Sequence, residues 1–207
     1  MKTSFLILVI LSLFCTGCVT GSTLRTARIL KPGEVEISAG VAGIDGFMSE
    51  VVIGACGISE NIELEGRWED HYVSMTPRLQ LLKSENSIID CLAFFELGYG
   101  KFKGVQWGPG IIMGKRWTYL EPYVSYRFRD FCAVSDDQKY ENYIYEDLCE
   151  YGHLHYVKFG NRFHIPCFWT DDPDLRTTKW FIGVEVGPTI VGSDVLFEWA
   201  VNIGFDY

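Results

Sequence analysis

The sequence predicts an all-β fold, an antiparallel up-and-down barrel of about ten strands that crosses a membrane. Three observations predict it. The chain ends in Trp199-Ala200-Val201-Asn202-Ile203-Gly204-Phe205-Asp206-Tyr207, with large apolar residues at every second position up to the last one. Period-two alternation puts those residues on one face of a strand, and ordinary chain ends do not hold such a pattern. The same alternation recurs along the chain, with charges confined to one phase. Finally, 15% aromatics and 21 glycines among 207 residues suit many strands joined by tight turns. Eight or twelve strands are the alternative counts.

The strands follow in order. Val35, Ile37, Ala39 and Val41 alternate with Glu34, Glu36, Ser38 and Gly40. Residues 43–48 turn the chain, and Val51, Ile53 and Ala55 share a face of the second strand. After a turn at Ser59-Glu60-Asn61, Ile62, Leu64, Gly66 and Trp68 oppose Glu63, Glu65 and Arg67. Val73 to Leu81 oppose Tyr72 to Gln80, and residues 83–87 turn again. Ile89 to Tyr99 is long enough for a tilted crossing of about 9–11 residues. Strands over Val105–Met113, Trp117–Phe128, His155–Phe163, Trp180–Ile190 and the C-terminal segment complete the ten. Pro77, Pro109, Pro122 and Pro188 fall inside these runs, where each removes a ladder donor.

The polar phase carries Glu36, Glu63, Glu65, Arg67, Arg78, Glu96, Glu121, Arg127, Lys158, Arg162, Glu185 and Glu198. The apolar phase carries almost no charge, and its aromatics Trp68, Tyr99, Trp107, Phe128, Trp180, Trp199 and Tyr207 fall near strand ends. That distribution suits an exterior in lipid and a charged lumen. Two readings of the lumen follow: a filled polar network or a pore lining. Ten strands favour the filled lumen, because small barrels are packed by side chains.

The C-terminal alternation resembles the terminal strand of bacterial outer-membrane β-barrels, and residues 57–64 resemble their short periplasmic turns. The resemblance implies a Gram-negative outer membrane, outer-membrane lipid and the barrel-assembly machinery as partners, and Trp199, Val201, Ile203, Phe205 and Tyr207 as the assembly signal. At the other end, Lys2 and the ten-residue apolar run Phe5–Phe14 read as a signal peptide, too short for a membrane-spanning helix. Thr16-Gly17-Cys18 resembles the end of a lipoprotein signal, although Cys15 stands where that family places Leu. The resemblance implies cleavage after residue 17, acylation of Cys18 and an anchor in the periplasmic leaflet. The expected organisation is a signal peptide at 1–17, a lipidated tether at 18–32 and a barrel at 33–207.

An even strand count places both chain ends on the periplasmic side. Residues 130–152 then form an extracellular loop carrying seven acidic side chains against Lys139 alone. Cys132 and Cys149 could close that loop by a disulfide worth about 3 kcal/mol. Cys56, Cys91 and Cys167 read as small hydrophobes. The net charge of −9 argues against nucleic acid. No cofactor or metal is expected. His153 and His155 share the apolar phase and read as interfacial. Asp70-His71 with Asp136-Asp137 resembles the acid and histidine pairs of ten-stranded outer-membrane proteases, a minor alternative to a non-enzymatic protein. The expected role is a small outer-membrane barrel with a structural or surface-interaction role, displaying the acidic loop. The alternatives are a narrow channel for small solutes and a lipid-anchored lipocalin-like barrel that binds an apolar ligand.

Overall fold

The computed structural model describes the chain from Ser22 to Tyr207; residues 1–21, 45–46, 70–71, 84, 86, 101–103, 133–152 and 166–178 lie outside the described residues. The strands are β1 (Val35–Ile44), β2 (Phe47–Ser59), β3 (Ile62–Glu69), β4 (Tyr72–Leu82), β5 (Asp90–Gly100), β6 (Gly104–Gly114), β7 (Leu120–Cys132), β8 (His153–Ile165), β9 (Lys179–Val191) and β10 (Asp194–Asp206). Each pairs antiparallel with its sequence neighbour, and β1 pairs with β10 from Glu36↔Asp206 to Ile44↔Glu198. The result is a closed ten-stranded barrel. Closure leaves no unpaired edge. Val35 and Tyr207 exchange both backbone hydrogen bonds at 2.8 Å, so the barrel begins and finishes at one end. That end is called the terminal end below, and the opposite one the far end.

Alternation fixes what each face meets. Ile37, Val52, Val73, Leu79, Leu97, Val201 and Ile203 point outward and are exposed, while their strand neighbours point in. Aromatics ring the outside near both ends, with Trp68, Tyr99 and Trp199 toward the far end and Trp117, Tyr119, Trp180 and Tyr207 toward the terminal end. Pro77, Pro109, Pro122 and Pro188 sit within strands, facing out. Ladder pairs are missing beside Pro77 in β4–β5, Pro109 in β6–β7 and Pro188 in β8–β9. The barrel tolerates the lost donors because neighbouring pairs hold the register.

Two expectations need revision. The face of Val51, Ile53 and Ala55 points into the lumen, not outward with the other apolar runs. The segment expected as a lipidated tether at 18–32 enters the lumen in its described part: Leu24, Arg25, Thr26 and Ala27 are buried inside the barrel. Ten strands enclose more space than inward side chains fill, and this N-terminal strap takes the remainder.

Candidate functional site: the charged lumen and its N-terminal strap

All twelve charged residues expected in the lumen are buried there, joined by Glu69, Asp90 and Arg129. They gather into networks along the barrel axis. At the terminal end, Arg162 Nη1 lies 2.7 Å from Glu36, and Arg78 Nη1 lies 2.7 Å from Glu63 and 3.6 Å from Glu65. His164 Nε2 sits 3.0 Å from Glu121. Toward the far end, Arg127 and Arg129 approach Glu96 at 3.1 and 3.2 Å, and Arg67 holds Glu69 at 2.8 Å. Lys158 Nζ is 2.7 Å from Glu198 and donates to the Gly187 carbonyl at 3.0 Å. Such burial is tolerable because most of these charges meet an opposite one, and Glu185 instead collects hydrogen bonds from neutral donors.

The strap completes these networks. Arg25, with a side chain 3% exposed, reaches three carboxylates: it donates to Glu36 and Glu63 and lies 3.3 Å from Glu65. Glu185 accepts from the Thr23 and Leu24 backbone N–H groups at 2.7 and 3.0 Å, from the Thr23 hydroxyl, and from Tyr123 Oη at 2.9 Å. Gln80 works both ways, accepting from Ile29 N–H at 3.0 Å and donating to the Ala27 carbonyl at 2.8 Å. Leu30 N–H donates to Glu63 at 2.7 Å, and Arg78 donates to the Thr26 carbonyl at 2.8 Å. Near the far end Arg67 donates to the carbonyl and hydroxyl of Ser22.

Apolar patches of the wall match the strap's apolar residues. Leu24 packs on Ala42, Val51, Ile53 and Ala200, whereas Ala27 and Ile29 join Leu92, Phe94, Ile112 and Tyr123. Leu24 has φ of +49°, a left-handed backbone that a bulky residue rarely adopts. Beside Arg25 and Arg127 the remaining cavity is about 10 Å³, room for one water. A larger one of about 160 Å³ opens at the terminal end between Arg116, Arg162, Lys179 and Asp206.

Inward aromatics find room over glycines of the next strand. Tyr123 pairs directly with Gly160, where a Cβ would stand 2.1 Å from its ring. Tyr72 lies likewise over Gly98. The rings thereby stay flat against the wall, and Tyr123 Oη reaches Glu185.

No family model matches the chain, and no curated protein sequence matches it. Among solved structures, it is similar to the N-terminal β-barrel domain of Pseudomonas aeruginosa OprF, at 10% identity over 86% of this chain and 100% of that one, with a TM-score of 0.36. It is also similar to the NanC porin, at 11% identity over 84% and 98% with a TM-score of 0.43. For the KdgM porin, solved with disordered oligogalacturonate, the values are 12%, 83%, 98% and 0.39. The fold class rests on the strand order of this chain: it is an all-β closed antiparallel barrel that resembles transmembrane barrels.

The other expected sites are placed as follows. Trp199, Val201, Ile203 and Tyr207 are exposed on the outer surface, with Phe205 half-buried against Trp180 at 5.4 Å between ring centres. His153 and His155 lie on the outside at the far end. His153 stacks on Phe128 at 5.7 Å and lies 3.2 Å from Asp130, while His155 Nδ1 meets Tyr126 Oη at 2.9 Å. Cys56 is half-buried and Cys91 buried. Cys18, Cys149, Asp70, His71 and the acidic loop from residue 133 lie outside the described residues, as does the side chain of Cys132. Sequence reasoning missed the strap entirely. The available signal was charge: the expected lumen set held seven glutamates against five basic residues, so a further cation was owed from elsewhere in the chain.

Proposed function

We propose that this protein is an integral outer-membrane barrel with a closed lumen, in a structural or surface-interaction role, presenting an acidic loop to the outside. One observation carries the reading. The wall buries nine acidic side chains and six arginines and lysines among the described residues, while its outer face exposes a belt of Val, Ile, Leu and aromatic residues. Water cannot be the solvent for such an exterior, because exposed apolar patches of this extent drive association. The charged interior argues against the lipocalin-like alternative, which needs an apolar cavity. The test is extraction of membranes with carbonate or urea. An integral barrel stays in the membrane fraction, and its gel mobility changes on heating; release into the supernatant overturns the reading.

Under this reading the terminal end is periplasmic and the loop at 130–152 extracellular. An epitope tag between Asp137 and Gln138 should be detected on intact cells. Detection only after permeabilisation would invert the orientation.

Acylation at Cys18 belongs to the same proposal. Cys18→Ala should abolish incorporation of labelled palmitate, and unchanged labelling would end the idea. The expected seat of the lipid in the periplasmic leaflet does not fit the strap. Ser22 is bonded to Arg67, whose guanidinium also binds Glu69 at the far end of β3. From there Cys18 reaches at most about 14 Å, against a hydrocarbon thickness of about 30 Å.

A further inference from the structure

We infer that the lumen is a latent pathway for small cations and that residues 22–31 are its removable stopper; the inference rests on the membrane-barrel reading above.

The wall is complete without the strap. The β1–β10 ladder closes the cylinder unaided. The strap backbone N–H groups of Thr23, Leu24, Ile29 and Leu30 meet side-chain oxygens of the wall rather than a strand. Nothing in the sheet has to break for the strap to leave. Its attachment is a turn at the terminal mouth, where Glu34 N–H bonds the Lys31 carbonyl at 3.0 Å. Gly33 there has φ of +83°, a conformation open to glycine, and its missing Cβ would meet nothing within 4 Å. That is a pivot in open space. Leu24 is held in a strained backbone that withdrawal would relax.

Charge decides what would pass. Acidic excess is concentrated toward the terminal end of the lumen, where Arg25 and the residues after it lie. Glu36, Glu63, Glu65, Asp90, Glu121 and Glu185 are buried there, and the buried basic wall residues facing them are Arg78 and Arg162, with Arg116 and Lys179 lining the mouth beside Asp206. The far half is nearly balanced, with Arg67, Arg127, Arg129 and Lys158 against Glu69, Glu96 and Glu198. Arg25 therefore occupies, among three carboxylates, the position that a permeating cation would take. Once it is gone, the field of the terminal half attracts cations and repels anions. The narrow point beyond is made of side chains, Arg129 lying 5.0 and 5.3 Å from the Tyr72 and Tyr156 rings. Rotamer changes can widen such a point without moving the wall.

The experiment uses the chain with Cys18→Ala, so that no acyl anchor can retain the strap, carrying a specific protease site at residues 31–32. The protein is inserted intact, shown to be folded by heat-dependent gel mobility, then cut, and recorded in planar bilayers under a KCl gradient. The expected result is near silence before cutting. After cutting, discrete conductance should appear, with a reversal potential shifted toward that of potassium and the strap recovered in the wash. Glu65→Gln should reduce that shift. Thr23→Cys with Ser125→Cys, whose native hydroxyl oxygens lie 3.2 Å apart, should keep the cut barrel silent until a reductant is added. A folded, inserted and cut barrel that stays silent, prefers chloride or retains its strap overturns the inference and leaves the membrane reading standing. Failure to insert overturns both.

Discussion

Arg25→Ala should be the most damaging single substitution in the lumen, lowering stability by about 3–5 kcal/mol, the usual cost of deleting one partner of a buried ion pair. The size follows from what stays behind. Glu36, Glu63 and Glu65 would share Arg78 and Arg162 alone, in a space from which water is largely excluded. Denaturant midpoints of the refolded barrel in lipid measure the loss. Arg25→Lys should fall between wild type and Arg25→Ala, since a single ammonium cannot span three carboxylates as a planar guanidinium does. Adding Glu63→Gln to Arg25→Ala should recover part of the loss, because the removed charge no longer needs a partner. An Arg25→Ala midpoint equal to wild type would mean that the strap contributes nothing to stability.

The second large effect is on the outer face, which the membrane-barrel reading assigns to lipid. Val201 lies near mid-barrel, paired with Val41 on one side and Val184 on the other, and it points outward. Lysine at the bilayer midplane of such a face costs about 2–4 kcal/mol, and the cost fades toward the interfaces. Val201→Lys should therefore lower the folded fraction in vesicles sharply, Ile203→Lys less, and Tyr207→Lys hardly at all. Heat-dependent gel mobility gives the folded fraction of each. A flat response across the three positions would contradict the assignment of this face to lipid.

The barrel was legible from the sequence because its cause is local. Each strand must present apolar atoms to one solvent and charges to the other, and that demand writes itself every second residue. Glu63, Glu65 and Arg67 between Ile62, Leu64 and Trp68 are enough to define both faces of β3. The strap was not legible because its cause is global. Thr-Leu-Arg-Thr-Ala-Arg-Ile-Leu has neither the strand period nor the helix period, and it reads as a linker. Its place is set by the width of the finished cylinder and by the unmatched glutamates of strands far away in sequence. The inward turn of Val51 and Ile53 was hidden for the same reason, as these residues face Leu24 rather than the outside. Pairings such as Tyr123 over Gly160 depend on register, which alternation alone does not supply. The prolines cut the other way. They look like strand breakers in sequence, yet a closed sheet absorbs a missing ladder bond at Pro77 or Pro109 without losing its alignment.

The strap also bears on the order of assembly. β1 and β10 stand at opposite ends of the barrel sequence, and their ladder is the pairing with the longest loop to close. Until it forms, both strands present unpaired edges that invite aggregation. The strap is contiguous with β1, yet its contacts lie on both sides of that seam: Arg25 with Glu36 of β1, Leu24 with Ala200 of β10, and Thr23 with Glu185 of β9. In the finished barrel it therefore bridges the seam from inside, tying β9 and β10 to the segment that leads into β1.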